Sequence, residues 1–315
     1  MFIGKLKLKN SVFLAPMSGV SDYPYREIVK KFEPGLVFSE MIASRALIEK
    51  NRKTLKMIKK DSNDLYAIQI AGCDPKVMGE AAKMCEDFGA DIIDINMGCP
   101  VKKVVNGYAG SALMKDELLA LSIIESVVNS VDIPATLKMR KGWDNKNQNA
   151  PKLAVMAENA GIKLITIHGR TRCQMFRGKS DWEFIKNVKK AVKIPVIVNG
   201  DITNIDEFKK AQSLSCADGV MIGRGSYGRP WIFKEILENF STNASHKILN
   251  SAKKDIILEH FSNSLSHYGE DVGVKSFRKH LGWYSKSLKN SNEFRCKINN
   301  CLDKSQIKSL IKDFF

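Results

Sequence analysis

Short apolar runs alternate with longer stretches of helical periodicity over the first three quarters of the chain. The runs are Val12–Ala15, Leu36–Ser39, Tyr66–Ile70, Ile92–Asn96, Ala135–Met139, Leu164–His168, Pro195–Asn199 and Gly219–Ile222. Their starts lie 24 to 31 residues apart, with one longer gap after the fourth. Continuous apolar character, as in Pro195-Val-Ile-Val198, suits strands covered on both faces, which is the setting of a parallel sheet. Between the runs, Lys76–Phe88 predicts a helix with Val77, Met78, Ala81, Ala82, Met84, Cys85 and Phe88 on one stripe. Glu117–Val128 predicts another, with Leu118, Leu121, Ile124 and Val128 inward. Eight strand–helix units in series predict an α/β fold of the (β/α)8 TIM-barrel type. An open doubly wound sheet is the competing architecture, and eight units are somewhat many for it.

The period changes near residue 240. Ser241–Ala252 is polar and predicts a linker. Beyond it the spacing predicts three amphipathic helices. One carries Ile257, Phe261, Leu265 and Tyr268, a second Val274, Phe277, Leu281, Tyr284 and Leu288, and a third Ile307, Leu310, Ile311 and Phe314. The expected organisation is a barrel over residues 1–240 and a small helical domain over 246–315.

Composition refines this. Fifty Lys+Arg against 34 Asp+Glu give the 315-residue chain a net charge of +16. Such a field attracts polyanions, although a Lys-rich coding bias produces the same number. Residues 246–315 hold 13 Lys+Arg and 7 Asp+Glu. Lys275, Arg278, Lys279 and Lys286 fall off the apolar stripe there, as a solvated face or as a phosphate-contact surface. The opening residues MFIGKLKLKN have no continuous apolar core, and no run is long enough to span a bilayer, so a soluble, cytoplasmic protein is expected. Seven cysteines with no C-x-x-C spacing predict neither a disulfide framework nor a metal site.

A barrel of this type carries its site at the C-terminal ends of its strands. Those ends bear Pro16-Met17-Ser18, Glu40, Gln69, Asn96 with Cys99, Lys138 with Arg140, His168 with Arg170, Asn199-Gly200-Asp201, and Gly223-Arg224. Singly, each reads as a loop cap; together they predict a ligand rim. Gly200, Gly223 and Gly225 with Arg224 predict a phosphate site at the last two strands. Gly223–Gly228 also matches G-x-G-x-x-G, but no acidic residue or strand follows at the spacing that dinucleotide binding needs. Lys138 sits in an apolar strand, so its cation either meets an anion or ligand or extends to the rim. His168 either bonds a ligand or is satisfied by nearby backbone. Cys99 lies between Gly98 and Pro100, ahead of a loop with Gly107 and Gly110. An ordinary thiol is mostly protonated at neutral pH, so it can donate a proton as well as act as a nucleophile.

These residues resemble the tRNA-dihydrouridine synthases, most closely their bacterial B branch. The resemblance rests on Leu14-Ala-Pro-Met-Ser-Gly19, Asn96-Met-Gly-Cys-Pro100, Leu137-Lys-Met-Arg140 with Gly142-Trp-Asp144, Ile167-His-Gly-Arg-Thr171, Val198-Asn-Gly-Asp201, Gly223-Arg-Gly225 and Arg278-Lys-His-Leu-Gly-Trp-Tyr284. It covers essentially the whole chain. It implies reduction of the C5=C6 bond of D-loop uridines in tRNA by an enzyme that uses FMN and NADPH. It implies that Cys99 protonates C5 and that Asn96 meets the substrate; Arg170 is expected at the substrate too, though it, Glu40 and Arg140 read equally as tRNA contacts or as structural pairings. It further implies that Pro16, Met17, Ser18, Gln69, Lys138, His168, Asn199, Gly200, Asp201, Gly223 and Arg224 hold the cofactor. No obligate protein partner is implied. The rival readings are a small-molecule reductase on a similar barrel and a tRNA-binding protein on an inactive one.

Overall fold

The computed structural model describes residues 1–58, 64–242 and 250–315. Eight parallel strands close into a barrel: β1 (Val12–Leu14), β2 (Leu36–Ala43), β3 (Tyr66–Ala71), β4 (Ile92–Met97), β5 (Ala135–Arg140), β6 (Ile165–His168), β7 (Val196–Asn199) and β8 (Gly219–Ile222). Closure is made by β8 against β1, with Val220 opposite Val12 and Ile222 opposite Leu14. The sequence periodicity places all eight within a few residues. The one larger difference is β2, which runs on to Ala43 through a register shift between Phe38 and Met41. That irregularity is how the polar Ser39-Glu40 pair is accommodated without ending the strand.

Side-chain alternation divides the barrel interior into two halves. Toward the strand starts it is apolar: Phe13, Ala15, Leu36, Phe38, Ala67, Ile92, Leu164, Ile197 and Met221 pack together. A short N-terminal hairpin, Phe2–Ile3 with Leu6–Lys7, adds Ile3, and Leu8 follows it into the same cluster. Toward the strand ends, the same inward register carries Gln69, Asp94, Asn96, Thr136, Lys138, Thr166 and Asn199, all buried. Burying so many polar groups is costly unless they bond one another or a ligand.

Helices follow most strands: α1 (Tyr23–Lys30), α2 (Pro75–Asp87), α3 (Glu117–Ser130), α4 (Ala150–Asn159), α5 (Trp182–Ala191), α6 (Ile205–Ser215) and α7 (Ile232–Thr242). Four of their starts are written in the sequence as Asp or Asn caps. Asp74 accepts from the Val77 N–H, Asp116 from Leu119, Asp181 from Phe184 and Asn204 from Glu207. The buried face of α3 differs from the expected stripe. It is Ala120, Ile123, Ile124 and Val127, while Leu118 in its first turn is exposed. Phe88 likewise lies just past α2 and is exposed.

The chain forms two compact units. The first is Met1–Asp22 with Pro34–Gly223, and the second is Tyr23–Glu33 with Arg224–Phe315. This division differs from a boundary at residue 240: α1 and α7 both fall in the second unit. The physical reason lies in α1, whose Tyr25 ring packs on His260 and His280 and whose hydroxyl donates to the Ser226 carbonyl at 2.6 Å.

The second unit continues with α8 (Asn250–Tyr268), α9 (Glu270–Tyr284), α10 (Ser291–Asn300) and α11 (Lys304–Phe314). Four helices thus stand where three were expected. The additional one, α10, buries only Phe294 and Ile298, a signal too short to stand out in the sequence. Leu288 lies beyond the end of α9 and is exposed. Of the expected linker Ser241–Ala252, residues 241–242 and 250–252 are helical, and 243–249 lie outside the described residues, as do 246–249 of the expected helical domain. Gly228 has φ +64° and no room for a Cβ against the Trp283 carbonyl, so the last glycine of the G-x-G-x-x-G match serves helix packing.

Candidate active site

The polar half of the barrel interior is a hydrogen-bonded layer built from neighbouring strands. Asp94 of β4 is fully buried and accepts from the Thr136 hydroxyl and from Gln69 Nε2, each at 2.6 Å. Gln69 Oε1 accepts from Asn96 Nδ2 at 2.7 Å. Asn96 Oδ1 in turn accepts from the backbone N–H groups of Gly98 and Cys99, at 3.2 and 3.0 Å. On the next strands, Lys138 Nζ donates to Asn199 Oδ1 at 3.1 Å, and Asn199 Nδ2 donates to the Met221 carbonyl at 2.8 Å.

Two charges share this layer. Burial pushes the Asp94 carboxyl up to about 6, opposed by the Thr136 and Gln69 hydrogen bonds and by the Lys138 charge. Burial pushes the Lys138 ammonium down to about 8, with Asp94 and Cys99 acting to raise it and Arg140 to lower it. Each charge therefore stabilises the other in a place that penalises both.

The loop after β4 is held from both sides. Arg140, only 1% exposed, donates Nε to the Gly98 carbonyl at 2.9 Å and Nη1 to the Thr171 and Met175 carbonyls, each at 2.8 Å. Ser111 donates its backbone N–H and its hydroxyl to the Cys99 carbonyl at 3.1 and 2.8 Å. Gly110 supplies the φ of +61° that lets the chain pass within contact of Cys99. Cys99 itself is half-buried.

The loop after β1 is fixed by Glu40, which accepts from the Gly19 N–H, and by Ser21, whose hydroxyl accepts from the Met17 N–H at 2.8 Å. Pro16 and Met17 are half-buried there and Ser18 is exposed. At the β7 end, Gly200 has φ +115°, and a Cβ on it would lie 2.5 Å from Ser180 Oγ and 2.6 Å from His168 Cδ2. At the β8 end, a Cβ on Gly223 would make only ordinary contacts, at 3.5 Å to Met17 Sδ and 3.6 Å to Ala15 Cβ.

Arg170 and Asp201 are directed at each other. Arg170 is 2% exposed and donates Nη1 and Nη2 to the two Asp201 carboxylate oxygens at 2.9 and 2.5 Å. It also donates to the Arg177 and Gly178 carbonyls. Its Nη1 lies 3.3 Å from His168 Nε2. A guanidinium can only donate, so in that contact Nε2 is the acceptor. The structure thus makes Arg170 an internal brace for Asp201 and His168, the structural pairing that the sequence left open beside a substrate contact.

The first unit therefore brings together Gln69, Asn96, Cys99, Lys138, His168, Asn199, Gly200 and Asp201 on one end of the barrel. Arg224 follows Gly223 and opens the second unit with a single 3-10 turn, Arg224–Ser226. Sequence reasoning missed Asp94 and Thr136, and left Arg140 without a role. The signal for Asp94 was present: a carboxylate in the middle of Ile-Ile-Asp-Ile-Asn, at the same inward register as Asn96, raises the question that Lys138 raised.

Comparison with known proteins follows the same lines. A family model described as dihydrouridine synthase (Dus) matches residues 13–315. A probable tRNA-dihydrouridine synthase of Rickettsia bellii is 53% identical, over 99% of this chain and 97% of its own length. A tRNA-dihydrouridine synthase B of Pseudomonas aeruginosa is 42% identical, over 99% and 95%. Among solved structures, histamine dehydrogenase from Rhizobium sp. 4-9 shares the fold at a TM-score of 0.60 and 15% identity, over 84% of this chain and 50% of that one. With the family model matching nearly the full length and curated relatives above 40% identity end to end, the chain belongs to the dihydrouridine synthase family.

Proposed function

We propose that this protein reduces the C5=C6 bond of D-loop uridines in tRNA, with FMN as cofactor and NADPH as reductant. The observation that carries the reading is the placement of Cys99. Its loop is pinned by Asn96, Ser111 and Arg140 at the mouth of a barrel whose upper interior is polar and holds a buried lysine. Family membership and the curated relatives support the substrate class.

The residues present suit a flavin mononucleotide. Lys138 offers a buried cation whose one side-chain hydrogen bond is to Asn199, so its ammonium has further donors that a cofactor acceptor would take. Gly200 and Gly223 would let backbone approach a phosphate end; a Cβ at Gly200 would press on Ser180 and His168, whereas one at Gly223 would make only ordinary contacts. Pro16, Met17, Ser18 and Gln69 would border the ring, with Lys138 and His168 bonding it. Asn199, Gly200, Asp201, Gly223 and Arg224 would serve the ribityl phosphate end, Asp201 while braced by Arg170. When bound at these residues, the flavin would supply two-electron reduction of the uracil C5=C6 bond, with NADPH as the source of the electrons.

The chain's own residues do the rest. Asn96 orients the uridine and the Cys99 loop. The Cys99 thiol gives its proton to C5 and is reprotonated from solvent. A uridine must leave its stack to reach a barrel mouth, and the basic surface holds the phosphate backbone while it does.

The test compares Cys99→Ala with wild type on unmodified tRNA, following flavin absorbance and dihydrouridine together. Support is a variant that binds FMN, is bleached by NADPH and forms no dihydrouridine. Product at the wild-type rate removes Cys99 from the reaction. A wild type that forms none, yet reduces a free pyrimidine, makes the small-molecule reductase the better reading.

A further inference from the structure

We infer that Asp94 is a positioning residue, whose carboxylate fixes the direction of a chain of side-chain amides ending on the backbone N–H of Cys99. The inference rests on the reading of Cys99 as proton donor.

The argument is one of hydrogen-bond polarity. An ionised carboxylate only accepts, whereas each amide side chain can present either its oxygen or its NH2 after a half turn. Both Asp94 oxygens are occupied by donors, Thr136 Oγ1 on one and Gln69 Nε2 on the other. Gln69 must then turn its oxygen away from Asp94, and that oxygen accepts from Asn96 Nδ2. Asn96 must in turn aim Oδ1 at the Cys99 loop, where two N–H groups donate to it. A half turn anywhere would set oxygen against oxygen at Asp94, or NH2 against N–H at Cys99. Gln69 and Asp94 are almost wholly buried and Asn96 nearly so, so water does not relieve the mismatch.

Position supports the same role. Arg140 and Ser111 hold the carbonyls of Gly98 and Cys99, and only donors can do that. The N–H groups of the same two residues require an acceptor, and Asn96 Oδ1 is the one bonded to them. Asp94 thus supplies, two side chains away, the polarity that the loop's other anchors cannot.

The test uses the purified holoenzyme and two replacements at Asp94. Asp94→Leu removes both acceptors at similar volume. Asp94→Asn keeps an oxygen for Gln69, and its NH2 can donate to the Thr136 hydroxyl, which accepts as readily as it donates. Two readouts are taken: alkylation of Cys99 by iodoacetamide, mapped by peptide mass with exposed Cys173 as reference, and single-turnover dihydrouridine formation. Asp94→Leu is expected to alkylate at Cys99 about fivefold faster and to form product about tenfold more slowly. Flavin reduction by NADPH is expected to change much less, and Asp94→Asn is expected to stay near wild type in both readouts. Wild-type alkylation and turnover in Asp94→Leu overturn the inference. So does an Asp94→Asn protein as impaired as Asp94→Leu, since charge rather than direction would then be the need. Should Asp94→Leu not fold, Gln69→Leu cuts the same chain one link on. Unchanged Cys99 alkylation there overturns the inference as well. Failure of wild type to make dihydrouridine would instead count against the proposed function, and the alkylation readout would still decide the relay.

Discussion

Arg140 Nε donates to the Gly98 carbonyl at 2.9 Å, so the residue before Cys99 is bound to the far end of the next strand. The same guanidinium holds two carbonyls of the loop after β6, at Thr171 and Met175. One buried cation thus ties two site loops together. Arg140→Met would strand three carbonyls in a dry place. A loss of about 2–4 kcal/mol in urea denaturation is expected, taking hydrogen bonds to a charged group at their usual strength. Arg140→Lys should recover little, since an ammonium cannot span the guanidinium's fork. A fully stable Arg140→Met would show that water replaces the side chain.

The backbone at Gly200 gives a second expectation. Its φ of +115° disfavours any side chain, and a Cβ would lie 2.5 Å from Ser180 Oγ and 2.6 Å from His168 Cδ2. Gly200→Ala should therefore displace His168 and cost about 1–3 kcal/mol. The direct reading is flavin retained on purification, expected to fall well below wild type. Retention at the wild-type level would mean that His168 and Gly200 do not meet the cofactor.

Much of this arrangement was legible in the sequence, and the rest was not for identifiable reasons. Eight short apolar runs located the strands because burial on both faces leaves little choice of residue. Cys99, Lys138 and the glycines were legible as anomalies: a thiol between Gly and Pro, a cation in an apolar strand, glycine at strand ends. Asp94 was visible only as an anomaly in its strand; its partners were not, because Thr136 and Gln69 come from other strands and only closure of the barrel brings them within 2.6 Å. Arg170 stayed open between substrate contact and structural pairing for the same reason. Nothing in its neighbourhood along the chain shows that Asp201, thirty-one residues on, takes both its Nη groups. The surface helix α10 was missed because two buried residues do not make a visible stripe.

The Asp94–Lys138 pair makes stability depend on pH in a definite direction. Burial raises the carboxyl from 3.8 to about 6, so between those values the folded protein binds the proton that the unfolded chain has released. This contribution is fully present below about pH 4 and is lost as pH rises through 6. Asp94→Asn mimics the protonated form at every pH. Its stability relative to wild type should therefore improve from pH 4 to pH 7, measured by urea denaturation at both. A difference that stays constant would mean that Lys138 keeps Asp94 ionised throughout.

The second unit should be acid-labile on its own account. His260 and His280 are buried, with ring centroids 4.6 Å apart, beside Tyr25, Tyr284 and Phe277. His260 Nδ1 is bonded to the Tyr284 hydroxyl at 3.1 Å, while His260 Nε2 and His280 Nδ1 have no hydrogen-bond partner. Burial, and then the charge of Lys279, pushes His260 down to about 3; burial, His260 and Lys279 push His280 well below its ordinary value. Below pH 6.5 the unfolded chain binds protons that the folded protein does not, so stability falls as pH falls. For two histidines the slope approaches about 2.7 kcal/mol per pH unit. Trp283 fluorescence across pH 7 to 4 reads the transition, and His260→Phe should roughly halve the slope. An unchanged slope would place the acid sensitivity elsewhere.

The tRNA surface can be located by salt. Lys275, Lys279 and Lys286 are exposed on and just beyond α9, as a phosphate-contact face requires. Arg278, which the sequence grouped with them, is half-buried and donates to the Cys301 carbonyl at 2.8 Å, so its first duty is to the fold. Each lysine that neutralises a phosphate releases a counterion, and the logarithm of affinity falls with the logarithm of salt by about 0.7–0.9 per contact. Replacing the three lysines with glutamate should therefore flatten that slope by about 2–3 and weaken tRNA binding at low salt by more than tenfold. Flavin reduction by NADPH should be untouched, because none of the three belongs to the barrel interior. Arg278→Ala should lower stability more than it lowers the slope. If the triple variant keeps both the wild-type slope and affinity, the basic face of α9 is only a solvated surface. The phosphate contacts would then belong to the lysines of the barrel loops.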